Sequence, residues 1–327
     1  MRTRFRRPAI AAAITLTTLV AASPAWAAFP DQGNRILYVR QRASSPARGV
    51  AANDMFSFKN NGDDRVRISD SPRINEYGGF FSPNGARIVY WGQTPDAYQV
   101  FRANADGSGR EALTSNPISV NPNWSRNGSR IVYVKYSGPA TPSLGGPFTA
   151  EPRGPGSVDL MIMNSDGTGK HSILNGSGIY SPGWSPTAAE IGFSGTSGDG
   201  LGLFLISPEG GEPQIVCCQI GGTALFADWS PDGRRLLFVF LPPTTGPSTV
   251  FEVWTIRRNG TDAVLLTDES YNVTLPRYSD DGQRVIFAKD VGGGDLDLYS
   301  IRSDGSGGKK RLTDTPAANE WLNYVIG

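Results

Sequence analysis

The residues able to do chemistry in this sequence are few. His171 is the sole histidine. That excludes a multi-histidine metal centre and leaves one imidazole for acid–base work. A hydrolytic triad would need His171 beside a nucleophile, and no G-x-S-x-G turn supplies one. His171 follows the Asp166-Gly167 pair and reads as a solvated surface residue. Cys217 and Cys218 are the only cysteines, and they are adjacent. In an oxidising compartment three outcomes are open: a vicinal disulfide, two free thiols, or a bond to another chain. A vicinal bond closes no chain loop, so it adds little by constraining the unfolded chain. It would make a rigid apolar plate against which a ligand could lie. The plainer reading is two small buried hydrophobes.

Oxygen donors are better represented. Glu76, Asp228 and Glu320, with Asn121, Asn123, Asn319 and Asn323, stand just ahead of or within a recurrent phrase described below. Such a set suits a hard cation, Ca²⁺ above all. It also suits a polar, water-filled channel mouth that binds a ligand. The second reading is favoured, so no cofactor is expected. Asp-Gly-Ser-Gly at 106–109 and at 304–307 matches part of a calcium loop but lacks the remaining ligands and the distal Glu. Both stretches read as hairpin turns.

The elements that would hold these residues follow from composition. Hydrophobic residues make up 39% and charged residues 19% of the 327 positions, which excludes a disordered tail or a coiled coil. Gly (40) and Pro (24) are too frequent for a helical protein and suit short strands joined by tight turns.

One phrase recurs: an aromatic residue, Ser, a turn pair, Gly, then an apolar strand. It reads Phe81-Ser82-Pro83-Asn84-Gly85, Trp124-Ser125-Arg126-Asn127-Gly128, Trp184-Ser185-Pro186, Trp229-Ser230-Pro231-Asp232-Gly233 and Tyr278-Ser279-Asp280-Asp281-Gly282. The aromatic positions are 43, 60, 45 and 49 residues apart. Pro pre-sets φ, Asn and Asp tolerate tight turns, and Gly accepts positive φ. The third copy continues Thr187-Ala188, so its turn must differ. Each phrase leads into a strand such as Arg87–Tyr90 or Arg130–Tyr133 and then a third strand such as Gln99–Phe101 or Asp159–Met161. A second Gly turn and a closing Leu-Thr or its like complete the repeat. Four short antiparallel strands per repeat predict β-propeller blades.

The two ends supply the remainder. Arg35–Tyr38, Asp54–Phe56 and Ile68-Ser69 are the second, third and fourth strands of a blade without a first. Tyr324 stands 46 residues after Tyr278, where the next aromatic is due. Residues 319–327 are therefore expected to pair into the N-terminal blade. The expectation is an all-β, six-bladed β-propeller of four-stranded blades, its ring closed by the C-terminal strand, which leaves no open edge.

At these motifs the sequence resembles the TolB-type propeller family, from Arg35 to Gly327. The resemblance implies a non-catalytic scaffold that binds an envelope protein or peptide. TolB carries an α/β domain ahead of its propeller, and only seven residues separate Ala28 from Arg35. The expectation here is a propeller alone, so nothing is carried over from that domain. The alternative class is a hydrolase or lyase acting on a carbohydrate or lactone through an axial carboxylate–metal site.

Arg2, Arg4, Arg6 and Arg7 precede an apolar stretch, Ala9–Ala22, and then Ala25-Trp26-Ala27. That order reads as a signal peptide, residues 1–27, ahead of a mature chain at 28–327. A retained anchor is the other reading, but 14 apolar residues are short for a span. Cleavage would take four arginines and no carboxylate, moving the net charge from +1 to −3. A mildly acidic chain offers no footprint for nucleic acid. The expected product is a monomer that spans no membrane and works in the periplasm or outside the cell. The loops between second and third strands share a face with those from a fourth strand to the next first strand and vary widely, and 137–157 is an insertion rich in Pro and Gly. That variable face is the expected working surface, because a rigid scaffold can position its loops.

Overall fold

The computed structural model describes residues 19–20, 35–41, 53–59 and, with short breaks, 66–311. Asn319, Glu320, Asn323 and the whole expected closing strand lie outside the described residues, as does the expected cleavage site.

Among the described residues every regular element is a strand, and the strands fall into six four-stranded antiparallel units. The first holds β1 (Leu19–Val20), β2 (Arg35–Gln41), β3 (Asn53–Lys59) and β4 (Val66–Arg67). The second holds β5 (Asn75–Phe81), β6 (Arg87–Gln93), β7 (Tyr98–Asn104) and β8 (Glu111–Ala112). The third starts with β9 (Ile118–Trp124) and β10 (Arg130–Ser137). A small ladder, β11 (Pro142–Ser143) with β12 (Glu151–Pro152), then interrupts it before β13 (Ser157–Asn164) and β14 (His171–Gly176). The fourth holds β15 (Tyr180–Trp184), β16 (Ile191–Ser197), β17 (Gly200–Ile206) and β18 (Gln214–Cys217). The fifth holds β19 (Thr223–Trp229), β20 (Arg235–Leu241), β21 (Glu252–Arg257) and β22 (Val264–Leu265). The sixth holds β23 (Val273–Tyr278), β24 (Arg284–Gly292), β25 (Asp295–Arg302) and β26 (Lys310–Arg311).

Each unit is closed by side-chain chemistry that the repeat encodes. In the second unit Ser82 Oγ donates to Asn84 Oδ1 at 2.8 Å and accepts from the Arg87 N–H at 3.0 Å. The Gly85 N–H bonds the Ser82 carbonyl at 2.8 Å, and Gly85 takes φ 69°. Ser125, Ser230 and Ser279 repeat this turn. In the third copy the Thr187 hydroxyl takes the Asn/Asp place, 2.8 Å from Ser185 Oγ. The closing hydroxyl has a purpose too. Ser69, Thr114 and Thr267 accept the buried N–H of Met55, Val100 and Val253 at 2.8, 3.0 and 2.9 Å. Each hydroxyl satisfies a third-strand donor that the short fourth strand leaves free.

The central strands are buried on both faces, so their Ile, Val, Leu and Phe runs are needed on both sides. Phe81, Trp124, Trp184, Trp229 and Tyr278 are all buried. Trp124 Nε1 donates to the Phe80 carbonyl of the second unit at 3.0 Å, and Trp229 Nε1 to the Gly183 carbonyl of the fourth at 3.1 Å. The aromatics therefore tie unit to unit, as expected of packing residues.

Two junctions are bridged by backbone as well. β7 and β9 pair in parallel at Tyr98↔Ile118, and β17 with β19 at Leu201↔Thr223. These contacts join the second and third units, and the fourth and fifth, into eight-stranded sheets. Leu19–Val20 pairs antiparallel with Leu37 and Tyr38 of β2. That is the edge the sequence assigned to residues 319–327.

Candidate functional site

The first strands β5, β9 and β19 carry Glu76, Asn121 with Asn123, and Asp228, and the first strand of every unit from the second to the sixth is bulged. The register shifts between Glu76 and Gly79 in β5, at Asn121-Pro122 in β9, and between Tyr180 and Gly183 in β15. It shifts again between Phe226 and Asp228 in β19 and between Thr274 and Arg277 in β23. A bulge re-aims the side chains around it. Asn121 sits within one at φ 52° and is half-buried, and Asn123 is half-buried two residues on.

Glu76 and Asp228 were expected together near the strand starts. The structure separates them. Glu76 is the second residue of β5, whereas Asp228 is the last but one of β19. Successive inner strands run in the same sense, so the two carboxylates stand toward opposite ends. Counting back from the aromatic shows why: Glu76 precedes Phe81 by five positions and Asp228 precedes Trp229 by one.

Glu76 has no exposed surface. Arg110 Nη1 lies 3.7 Å from its Oε1, and among the described residues no well-formed hydrogen bond reaches either carboxylate oxygen. Burial, reinforced by the negative charge of Asp54, pushes its carboxyl up to about 8; Arg110 and the Ser69 hydroxyl pull the other way. Asp54, equally buried, is held by Arg67 Nη2 at 2.7 Å. This cluster joins the first unit to the second. Among the described residues the Glu76 carboxyl is enclosed by protein.

Asp228 is occupied as well. Its Oδ1 accepts the Trp229 N–H at 2.9 Å and its Oδ2 accepts the Tyr278 N–H of the sixth unit at 3.1 Å. Arg277, one place before Tyr278, is buried. Desolvation pulls its guanidinium down, and Asp228 offsets that. Arg277 donates to the Ala227 carbonyl and lies over the Phe80 ring, 5.9 Å to the centroid. Sequence reading passed over Arg277. The signal was its place: position for position it matches Asp228, Asn123, Gly183 and Phe80 in the other strands.

Cys217 and Cys218 form the vicinal disulfide, with Cys218 at φ 74°. Both are half-buried and, like Phe240 and Trp254, pack against an apolar cluster of the fourth and fifth units. His171 is exposed on an outer strand, its Nδ1 2.9 Å from the Gly169 carbonyl. Among the described residues no three His, Cys, Asp or Glu side chains gather as metal ligands, and no helix is long and apolar enough to cross a membrane.

Stacked four-stranded units with buried faces, tied through their inner strands, define an all-β propeller-type protein. Comparison with known proteins agrees. The chain is 33% identical to the Tol-Pal system protein TolB of Anaeromyxobacter dehalogenans over 103 residues, 31% of this chain and 21% of the relative. Among solved structures, TolB from Acinetobacter baumannii aligns with a TM-score of 0.61 and 17% identity, over 83% of this chain and 62% of that one. An oligogalacturonate lyase in complex with manganese also aligns with a TM-score of 0.61, at 14% identity, over 89% of this chain and 75% of that one. The chain thus spans less than two thirds of either TolB protein. No protein-family model matches it. What the solved structures share with the chain is the fold, a TolB-like propeller.

Proposed function

We propose that residues 1–27 are removed on export and that residues 28–327 form one six-bladed propeller, with 137–157 an insertion in its third blade. Residues 319–327 complete the ring by pairing with β2. The edge of β2 accepts a strand, since Leu19–Val20 pairs there. Cleavage of the leader would free that edge for the C-terminus.

The propeller serves as a non-catalytic, monomeric scaffold that holds an envelope protein or peptide, in the periplasm or outside the cell. The observation that supports this best is the 33% identity to TolB over 103 residues, which accompanies the shared fold. Glu76 and Asp228 fit the same reading, because both are built into junctions between units. Asn121 and the undescribed Asn319 and Glu320 remain the polar residues for a channel-mouth ligand.

A second reading has its own support, the likeness to a manganese-bound oligogalacturonate lyase. There an axial carboxylate would hold a divalent ion for work on an acidic carbohydrate. One experiment separates the two. Immobilised 28–327 is exposed to envelope extract, and the same protein is titrated with Mn²⁺ and Ca²⁺ and assayed on polygalacturonate. Stoichiometric capture of one polypeptide, with no product from the polymer, is expected. Tight one-to-one metal binding with cleavage of the polymer would replace the scaffold reading by the enzyme.

A further inference from the structure

The units repeat, so each position has internal counterparts, and one junction departs from them. Arg87 opens β6. Its counterparts are Arg130, Glu190, Arg235 and Arg284. Arg130 pairs with Glu209 at 3.2 Å, Glu190 with Arg258 at 3.0 Å, and Arg235 with Asp262 at 2.7 Å. Arg284 is spent on Ser300 and the Gly308 carbonyl. Arg87 is exposed and has no ion pair or side-chain hydrogen bond among the described residues.

Two more arginines break the repeat beside it. Arg126 stands where Pro83, Pro186 and Pro231 fill the same turn, and it too is exposed and unpaired among the described residues. Arg102 stands opposite Val89 in the ladder, where the other units place Ile162, Leu205, Thr255 and Ser300. It donates through Nε to Glu111 Oε1 at 2.6 Å, through Nη2 to the same oxygen, and through Nη1 to the Ser165 carbonyl. All three arginines line one groove of about 740 Å³ between the second and third units, with Trp124 and Asp166 also in its wall. Asp166 is the one carboxylate in that wall: its Oδ1 accepts the Thr168 N–H at 2.9 Å and the Thr168 hydroxyl at 2.6 Å, and no ion pair joins it to Arg87 among the described residues.

We propose that this groove binds closely spaced carboxylates brought by another molecule. The repeat identifies the missing chemistry: in three of four counterparts the position sits in a guanidinium–carboxylate pair. A guanidinium fork matches a carboxylate in shape and charge, as Arg102 shows by holding Glu111. Arg87 and Arg126 add two guanidinium groups to one concave wall against the single carboxylate of Asp166, so positive charge is in excess among its described residues. The carboxylates come from a free organic anion or from an acidic stretch of polypeptide. The groove lies on the face of the uniform Gly turns, so it stands whether or not the variable face holds an envelope partner.

The test is calorimetric titration of the folded chain at low ionic strength with citrate and, separately, with hexaglutamate. One-to-one binding of at least one probe is expected, weakened at least tenfold in an Arg87→Gln/Arg126→Gln variant of unchanged melting temperature. Arg234→Gln, at an exposed turn of the fifth unit, should bind as the parent does. Binding of citrate alone assigns the site to a small organic anion; binding of hexaglutamate alone assigns it to a polypeptide. No binding of either probe, binding unchanged in the double variant, or an equal loss in Arg234→Gln would overturn the site.

Discussion

Glu76 shows what burial does to a single ionisable group. Its carboxyl titrates near 8 in the folded protein against the usual 4.5. Between those values the folded state keeps a proton that the unfolded state has released. Stability therefore falls as pH rises through that window, by on the order of 1 kcal/mol per pH unit. Glu76→Gln keeps the shape and removes the titration. Denaturant unfolding at pH 5 and pH 8 should show a steep loss in the parent and a flatter profile in the variant. An unchanged profile would mean that Arg110 keeps the carboxylate charged. The tryptophans give a second test. Trp124 and Trp229 donate to carbonyls of the preceding unit, whereas the buried Trp184 Nε1 has no partner among the described residues and its ring lies under Arg130, 5.1 Å from the centroid. Trp229→Phe removes a buried hydrogen bond between the fourth and fifth units; Trp184→Phe removes a donor without a partner among the described residues. Trp184→Phe should cost less by about 1 kcal/mol or more in the same unfolding assay.

The strands were the most legible level, for reasons visible in particular residues. Ser-Pro-Asn-Gly and its relatives spell a turn whose every hydrogen bond is local, so residues 82–87 could be read without the fold. The closing Leu-Thr was legible as a pattern but not as a mechanism, because Thr114 meets Val100 across two strands. Thr114→Val and Thr267→Val keep side-chain volume and remove the acceptor from a buried N–H. Each should cost about 1–3 kcal/mol by chemical denaturation. Loss of a few tenths at either site would show that water takes over. The candidate site was far less legible. Bulges at Glu76–Gly79 and Phe226–Asp228 shift the alternation, and depth along an inner strand depends on counting from the aromatic. Arg87 and Arg102 lie far from Arg126 and Asp166 in sequence, and only packing of the second unit on the third gives the two pairs one groove.

Closure belongs to the molecule as a whole. Deleting residues 319–327 from the chain 28–327 should remove the inner strand of the first unit and expose two edges. Calorimetry should then show a lower and broader transition than the parent's single cooperative one. An unchanged melting temperature would refute the six-bladed, C-terminally closed ring.

The parallel contacts at Tyr98↔Ile118 and Leu201↔Thr223 have a mechanical consequence. A ring of equal units would tear anywhere. Here the second and third units share a strand-to-strand contact, as do the fourth and fifth, while the other junctions show no such strand pairing among the described residues. Stretched between its termini in an optical trap, the protein should part first at the junctions without strand pairing and shed the joined units in pairs. The extension trace would then show steps of two lengths, single-unit and double-unit.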